Sequence, residues 1–277
     1  MNYYEFNLEL NPHEPWSEIL MAKLSEIGFE SFIENEKGFQ AYIREDLLCQ
    51  DVVSELFNGF LESCKIDSSI RFVEEANWNA VWESQYEPVT FGKFCHVRAP
   101  FHPVNPDVEF DLIIEPKMSF GTAHHETTSM MINWIERESF EGKSVLDMGC
   151  GTGILAILAA KKGAKFVQAI DNDEWAFENS KENVERNQEP QIDVKLGDAS
   201  LLGDLLFDTI IANINRNILV EDMYAYAKCL KPGGNLFLSG FYEEDIPIIK
   251  YECEKHDLIM IDNLEKNRWV AVKFEKK

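Results

Sequence analysis

The chain has 277 residues, which is long for a single domain and sufficient for two. It carries 49 acidic against 26 basic side chains, and the resulting net charge of −23 repels nucleic-acid phosphates and anionic membranes. No apolar run approaches the roughly 18–20 residues that a membrane-spanning helix needs, so the sequence excludes that class.

The negative charge is concentrated at the N-terminal end of the chain. Residues 1–76 hold 16 acidic and 5 basic side chains, a net charge of −11 on about a quarter of the sequence. Such a surface would steer a basic partner. Many proteins are acidic simply to stay soluble, so the charge alone leaves both explanations open.

The cysteines and the first residues indicate the compartment. The six cysteines are scattered without a C-x-x-C pair, which is typical of reduced thiols in the cytosol. The opening residues, MNYYEFNLEL, lack the basic and apolar regions of an export signal. We therefore expect a cytoplasmic protein. The acidic charge predicts no direct binding to nucleic acid or membrane, and we expect a monomer because nothing in the sequence suggests an obligate interface.

Residues 1–76 have the pattern of a small α+β domain. An alternating segment at residues 3–10 precedes apolar residues at helical spacing over Pro15–Gly28, and two short strand segments then form a predicted hairpin. A second helix over Gln50–Cys64 and a strand at Ser69–Val73 complete the order βαββαβ. This order is that of the ferredoxin-like fold. Because no catalytic cluster lies within it, we expect a binding domain.

The rest of the chain divides into a linker and a larger domain. Residues 77–105 contain two Trp and three Pro without a clean period, so we predict an ordered linker that leads into a short strand at Phe94–Arg98. From Glu141 on, apolar strand-like runs alternate with helical stretches, and the last two runs are close enough to pair antiparallel. Over residues 106–277 we predict a doubly wound α/β domain with a mainly parallel sheet.

A glycine-rich segment follows the first strand of this domain. The strand SVLDM runs into GCGTG, in which Gly149, Gly151 and Gly153 allow a tight turn and a close approach to a ligand. Nicotinamide enzymes use G-x-G-x-x-G, with the pyrophosphate at the helix N-terminus. The G-x-G-x-G spacing preceded by Asp147 resembles the first motif of class I S-adenosylmethionine methyltransferases. The glycines alone leave a nicotinamide oxidoreductase open.

Polar residues after the next three strands favour the methyltransferase. Asp171 ends the second strand, where an acid accepts both ribose hydroxyls in the folds that bind NAD or S-adenosylmethionine. Asp198 follows the third strand and is placed to reach the adenine amino group, or it caps the next helix. Asn213 ends the fourth strand, where many N-methyltransferases keep Asn or Asp beside the target nitrogen, or it is a turn residue.

The segment FGTAHHETT, residues 120–128, raises the question of a metal site. Zinc ligands on a helix are spaced at i and i+4, whereas His124 and His125 are successive and point about 100° apart. We therefore predict no metal. Thr128 lies near the start of a predicted helix, whose free N–H groups suit a carboxylate, and Phe120 lies in a loop able to close over a ligand.

The longer run EPKMSFGTAHHETT resembles the signature of the methyltransferases that modify ribosomal large-subunit protein eleven, E/D-P-G-x-x-FGTG-x-H-x-TT. The resemblance covers the whole chain, including the Trp-rich residues 77–105. It implies a Rossmann-like class I methyltransferase domain that uses S-adenosylmethionine, preceded by a domain that grips the substrate. It also implies a protein-lysine N-methyltransferase that modifies lysine side chains and the α-amino group of this basic ribosomal protein, free or on the ribosome.

The resemblance also assigns roles to residues. It implies cofactor contacts from Thr128, Gly149, Asp171 and Asn213, with Phe120 and its neighbours folding over the methionyl end. Gly151 belongs to the same glycine motif and is expected to contact the cofactor. We expect the side-chain oxygen of Asn213 to orient the amine during catalysis, because the sequence offers no dedicated base.

Two positions depart from the family signature, and other functions stay open. Lys117 and Ala123 stand where glycine is usual, and alanine at a positive φ costs about 1–2 kcal/mol or shifts the loop. An N-methyltransferase of another protein or of a small molecule on the same core is the nearest alternative. A non-catalytic ribosome-binding protein is a further one.

Overall fold

The computed structural model describes residues 2–35, 37–60, 63–73, 86–115, 117 and 119–277. The chain forms two compact units, Met1–Gln85 and Tyr86–Lys277. The predicted linker 77–105 differs from the structure in its second part, since residues 86–105 belong to the second unit. They do so because the strand predicted there, observed at Cys95–Arg98, pairs with Phe110–Ile113. Residues 77–85 lie outside the described residues.

The first unit is an antiparallel sheet packed against two helices. Its elements are β1 Tyr3–Asn11, α1 Trp16–Glu26, β2 Phe29–Asn35, β3 Gly38–Arg44, α2 Gln50–Asn58 and β4 Lys65–Val73. The strand order is β2-β3-β1-β4, and each neighbouring pair is antiparallel. The insertion of β3 between β1 and β2 is the split βαβ arrangement, which confirms the ferredoxin-like prediction. The alternating Phe6, Leu8 and Leu10 of β1 are buried in its core.

The second unit contains a seven-stranded sheet and a smaller one. Its described elements are β5 Val89–Phe91, β6 Cys95–Arg98, β7 Phe110–Ile113, α3 Glu126–Arg137, β8 Ser144–Met148, α4 Ile154–Lys161, β9 Phe166–Asp171, α5 Glu174–Asn187, β10 Ile192–Leu196, β11 Phe207–Asn213, α6 Arg216–Cys229, β12 Leu230–Tyr242, α7 Ile246–Glu254, β13 Leu258–Lys266 and β14 Trp269–Lys276. The larger sheet has the order β10-β9-β8-β11-β12-β14-β13, and β5, β6 and β7 form the smaller one.

The strand order confirms the doubly wound prediction and positions the site. Neighbouring strands from β10 to β12 are parallel, whereas β14 pairs antiparallel with both β12 and β13, as expected for the last two runs. The chain moves outward from β8 to β9 and β10, and then returns to place β11 on the other side of β8. A ligand cleft is expected at this reversal, beyond the carboxyl ends of β8 and β11.

The helices owe their packing to their composition. Every residue of α4 from Ile154 to Ala160 is buried, and the helix lies in the apolar cluster that also contains residues of α3, β6 and β8. Helix α3 ends at Arg137, because the backbone of Glu138 is extended. Among the described residues, no helix has both the length and the apolar composition to cross a membrane.

Gln168 is an unpaired polar side chain inside the parallel sheet. It is fully buried in β9, and neither its Oε1 nor its Nε2 has a hydrogen-bond partner in the part of the chain that the structure describes. An unpaired buried amide costs about 1–3 kcal/mol. We therefore expect Gln168→Met, which keeps the side-chain length, to raise the free energy of unfolding by about 1–3 kcal/mol in urea titrations.

The matched control for this prediction is Gln191→Met. The Gln191 amide is half-buried and already donates to Glu189, so its replacement is expected to change the free energy of unfolding by less than about 0.5 kcal/mol. An unchanged or lowered unfolding midpoint for Gln168→Met would contradict the interpretation, since it would mean that the buried amide has a partner.

Candidate active site

Three parallel strands that are neighbours in the sheet, β9, β8 and β11, bring their carboxyl ends to one edge of it. Gly149 follows β8, Asp171 is the last residue of β9, and Asn213 is the last residue of β11. A cleft opens beside Gly149 and Asp171, and Asn213 is not among its lining residues, which are Met148, Gly149, Ile170, Asp171, Asn172, Gly197, Asp198, Ile214, Ile218 and Asp222. The fold therefore brings Gly149, Asp171 and Asp198 together, as the sequence predicted.

Asp171 shapes the glycine loop, which we define as Gly149–Gly153. Its Oδ2 accepts a hydrogen bond from the Gly151 N–H at 2.8 Å, and its Oδ1 accepts one from the Asp173 N–H at 3.0 Å. A carboxylate oxygen can accept more than one hydrogen bond, so both oxygens keep capacity for a ligand. Asp171 thus has a structural role that the sequence did not reveal, besides the ribose contact predicted for it.

The glycines of this loop are required by close packing. A Cβ on Gly149 would lie 2.1 Å from Ile214 Cγ2, and one on Gly151 would lie 2.2 Å from the carbonyl oxygen of Phe120. Both residues also have φ values in the left-handed region, 69° and 56°. Gly151 therefore lacks a side chain so that the Phe120 backbone can pack against it. The sequence had suggested only the close approach of a ligand.

The segment Phe120–Thr122, the FGT loop, is docked on the glycine loop through Thr152. The Thr152 N–H donates to the Phe120 carbonyl at 2.9 Å, and the Thr152 hydroxyl donates to the Gly121 carbonyl at 2.6 Å. The Thr152 side chain is fully buried, whereas Phe120 remains 52% exposed. The predicted closing loop thus has defined anchors, and one exposed aromatic ring.

Asn213 and Thr128 meet in the interior. Thr128 is fully buried in the first turn of α3, and its hydroxyl oxygen accepts a hydrogen bond from Asn213 Nδ2 at 3.4 Å. Asn213 is only 9% exposed, and its Oδ1 has no hydrogen-bond donor among the described residues. Since an unpaired buried acceptor costs about 1–3 kcal/mol, this oxygen fits a site that is completed by a donor on a ligand.

The two adjacent histidines have separate structural roles. His125 caps α3, since its Nδ1 accepts from the Thr127 N–H at 3.3 Å, and its ring packs against Phe120 and Trp269 at 5.0 and 4.9 Å. His124 Nε2 lies 2.9 Å from the Glu87 carbonyl oxygen. Histidine is an uncommon cap and Glu87 is distant in sequence, so neither role was predicted.

His124 also braces the FGT loop. Its Nδ1 lies 3.0 Å from the Thr122 carbonyl oxygen, and the Tyr86 ring packs on the imidazole at 5.1 Å. Through His124, the loop is held against the first residues of the second unit. In the described ranges, no group of three or more His, Cys, Asp or Glu side chains is arranged to hold a metal ion.

Asp198 is an exposed cap. Its Oδ1 accepts from the Ser200 N–H at 2.9 Å, and hydrogen bonds from the side chain and backbone of Ser200 lower the pKa of the carboxyl group. The capping alternative is therefore realised. The contact with an adenine amino group stays a prediction, for which the second carboxylate oxygen is available.

The two departures from the family signature have physical explanations. Ala123 adopts φ 69°, the conformation for which glycine is preferred, and it is 1% exposed. Its methyl group lies in the apolar cluster around α4, so burial worth about 0.8 kcal/mol offsets part of a strain of about 1–2 kcal/mol. Lys117 forms a half-exposed salt bridge with Glu182 at 2.6 Å.

Asp147 is a buried carboxyl group beneath the glycine loop. Burial raises its pKa to about 7, although the Ala156 N–H, which donates to Oδ2 at 3.0 Å, acts in the opposite direction. The unfolded value is near 3.9. Between about pH 4 and pH 7 the folded state therefore binds more protons than the unfolded state, and the stability contributed by this group falls as the pH rises.

This linkage predicts a pH-dependent difference between the natural chain and Asp147→Asn. As the pH is raised from about 4 to 8, the natural chain is expected to lose up to about 1.4 kcal/mol of unfolding free energy per pH unit relative to the variant. Urea titrations at several pH values measure both curves. Parallel curves would contradict the raised pKa, because both chains would then titrate alike.

Residues 19–277 match the family model described as ribosomal protein L11 methyltransferase (PrmA). A protein named ribosomal protein L11 methyltransferase from Bacteroides fragilis is 48% identical over 99% of both chains. One with the same name from Porphyromonas gingivalis is 47% identical over 98% of this chain and 96% of its own.

A solved structure is also similar. The crystal structure of a ribosomal protein L11 methylase from Lactobacillus delbrueckii subsp. bulgaricus aligns with a TM-score of 0.63 and 27% identity. The alignment covers 69% of this chain and 100% of that chain.

Proposed function

The chain belongs to the ribosomal protein L11 methyltransferase family, and on this premise we propose that it methylates lysine side chains and the α-amino group of ribosomal protein L11. The observation that carries the proposal is the buried Oδ1 of Asn213, an acceptor without a donor at the cleft end of β11. An amine supplies the missing N–H. The reaction takes place in the cytoplasm.

S-adenosylmethionine is the methyl donor, and it supplies a methyl group activated by a sulfonium. The residues present fit it. Asp171 has remaining acceptor capacity for two ribose hydroxyls, and Gly149 and Gly151 let the backbone turn beside the cleft. Thr128 lies in the first turn of α3, where the positive end of the helix dipole suits a carboxylate, and Phe120 lies in the loop anchored above the glycine loop.

Asn213 orients the amine and does not deprotonate it, because a carboxamide has no useful proton affinity. Its Nδ2 donates to Thr128, which leaves the unpaired Oδ1 as the acceptor for the amine. A lysine with a pKa near 10.4 is protonated at neutral pH. Loss of hydration in a buried site lowers that pKa, so the proton leaves to water before transfer. Positioning is then the main contribution of the protein.

The charge of residues 1–76 supports a basic protein substrate. Their net charge of −11 attracts a lysine-rich surface and speeds encounter, an effect that falls with ionic strength. The unit that contains them has the strand order of a ferredoxin-like domain. We assign substrate recognition to it.

Methyl-labelled S-adenosylmethionine with total ribosomal proteins tests the proposal. Mass spectrometry of the labelled products is expected to find methyl groups on lysines and on the α-amino group of ribosomal protein L11. Labelling of a different protein would mean that ribosomal protein L11 is not the substrate. Labelling of small molecules only, in a parallel incubation with cell extract, would mean the same. The absence of any labelled product would contradict the proposed activity itself.

A further inference from the structure

Helix α5 has a row of buried asparagines along one face. Asn179, Asn183 and Asn187 are spaced four residues apart, which aligns them along the helix, and they are 1%, 0% and 6% exposed. Asparagine is a poor helix former and a costly residue to bury. Asn183 and Asn187 bind backbone groups of neighbouring segments, whereas Asn179 accepts from the Asn183 side chain and its Nδ2 has no partner among the described residues.

Asn187 pairs with the free edge of β7. Its Oδ1 accepts from the Ile113 N–H at 3.0 Å, and its Nδ2 donates to the Ile113 carbonyl at 2.7 Å. The carboxamide thus imitates a neighbouring strand at the edge of the three-stranded sheet. This contact fixes the end of β7, but it reaches neither the glycine loop nor the FGT loop.

Asn183 connects two segments that belong to the active site. Its Oδ1 accepts from the Glu115 N–H at 2.9 Å, on the segment that leads from β7 to the FGT loop. Its Nδ2 donates to the Thr152 carbonyl at 2.9 Å, within the glycine loop. The second hydrogen of Nδ2 goes to Asn179 Oδ1 at 3.2 Å.

Thr152 completes the connection. Its carbonyl is held by Asn183, while its N–H and its hydroxyl hold the carbonyls of Phe120 and Gly121. Asn183 and Thr152 are both fully buried. Asn183 therefore ties Glu115 to the glycine loop, and Thr152 ties Phe120 and Gly121 to it.

We propose that Asn183 is a positioning residue for cofactor binding, which acts through Thr152 to hold the FGT loop over the cofactor. The proposal rests on the S-adenosylmethionine-dependent activity proposed above. A loop that is ordered before the cofactor arrives loses little conformational freedom on binding. Without Asn183 the loop must be ordered by the cofactor itself, which weakens binding, whereas the contact between Asn213 and Thr128 stays intact.

The test compares Asn183→Leu with Asn187→Leu in the full chain. Both replace a buried asparagine on the same helix face, but only Asn183 contacts the glycine loop. We expect Asn183→Leu to raise the Kd for S-adenosylhomocysteine and the KM for S-adenosylmethionine by about 10- to 100-fold. For Asn183→Leu, kcat at saturating cofactor should stay within about threefold of the value for the natural chain. For Asn187→Leu, the Kd and the KM should also stay within about threefold of the natural values.

A second pair of variants covers the case in which Asn183→Leu does not fold. Thr152→Val removes only the hydroxyl that binds Gly121, and Thr152→Ser keeps it. We expect weaker cofactor binding in the first and restored binding in the second.

The outcomes separate the two proposals. Equal weakening by Asn183→Leu and Asn187→Leu, or unchanged binding in both Asn183→Leu and Thr152→Val, would overturn the positioning role while the natural chain still binds the cofactor. A natural chain that binds neither S-adenosylhomocysteine nor S-adenosylmethionine would instead overturn the proposed function, and the positioning role with it.

Discussion

Replacing Asn213 by alanine is expected to lower the rate of methyl transfer by about 10²- to 10³-fold, because the amine loses the acceptor that orients it. The fold should remain intact, since the side chain makes one long hydrogen bond to Thr128, at 3.4 Å, and its Oδ1 makes none. Its removal also abolishes an unpaired buried acceptor, which offsets part of the packing lost.

The measurement is the rate at saturating S-adenosylmethionine, together with the melting temperature. Asn217→Ala is the control, because Asn217 is an exposed residue whose carboxamide oxygen accepts hydrogen bonds from the neighbouring Arg216. Its rate should match that of the natural chain. A rate for Asn213→Ala within a few-fold of the natural chain would remove Asn213 from the mechanism.

Replacing Asp171 by alanine is expected to weaken cofactor binding by about 100-fold or more. Hydrogen bonds from ribose hydroxyls to a carboxylate contribute about 1.5–3 kcal/mol. The N–H groups of Gly151 and Asp173 also lose their acceptor, so the glycine loop is no longer held in place. The combined effect should exceed that of a ribose contact alone.

Calorimetry with S-adenosylhomocysteine measures this affinity, and Asp173→Ala is the matched control. Asp173 caps α5 by accepting from the Ala176 N–H at 2.8 Å, so its loss costs stability of about 0.5–2 kcal/mol. Its effect on cofactor affinity should be less than about threefold. Unchanged affinity in Asp171→Ala would show that the ribose lies elsewhere.

The sheet of the second unit was predictable because its strands are buried on both faces. Such strands are continuous apolar runs, and SVLDM, FVQAI and DTIIAN lie in β8, β9 and β11. Polar residues that end such runs are conspicuous, so Asp171 and Asn213 were identified from sequence. The common edge of a parallel sheet then implies that they are neighbours.

The contacts around the FGT loop were not predictable, because most of them involve backbone groups. The partner of His124 is the carbonyl of Glu87, and the partners of Thr152 are the carbonyls of Phe120 and Gly121. Every residue has a backbone carbonyl, so the sequence does not indicate which carbonyl a side chain will contact. The spacing of asparagines in α5 is visible in ENSKENVERN, but the segments they bind are not.

The end of the predicted linker was misplaced for a related reason. Strands β5 and β6 have three and four residues, too few to show a period, and β6 is stabilised by pairing with β7, twelve residues further along. Pairing between short strands depends on the tertiary structure. The positive φ of Ala123, in contrast, could be anticipated from sequence. The family signature has glycine at this position, which indicates a positive φ if that glycine adopts the left-handed conformation.

The central claim is that S-adenosylmethionine binds in the cleft at the carboxyl ends of the parallel strands. The most direct test is a crystal structure of the full chain with this cofactor. We expect density for the nucleoside in the cleft beside Gly149, with ribose hydroxyls on the Asp171 carboxylate and the sulfonium methyl group turned toward Asn213 Oδ1. A cleft that stays empty at saturating ligand, or one that takes a diphosphate-linked dinucleotide in preference, would contradict it.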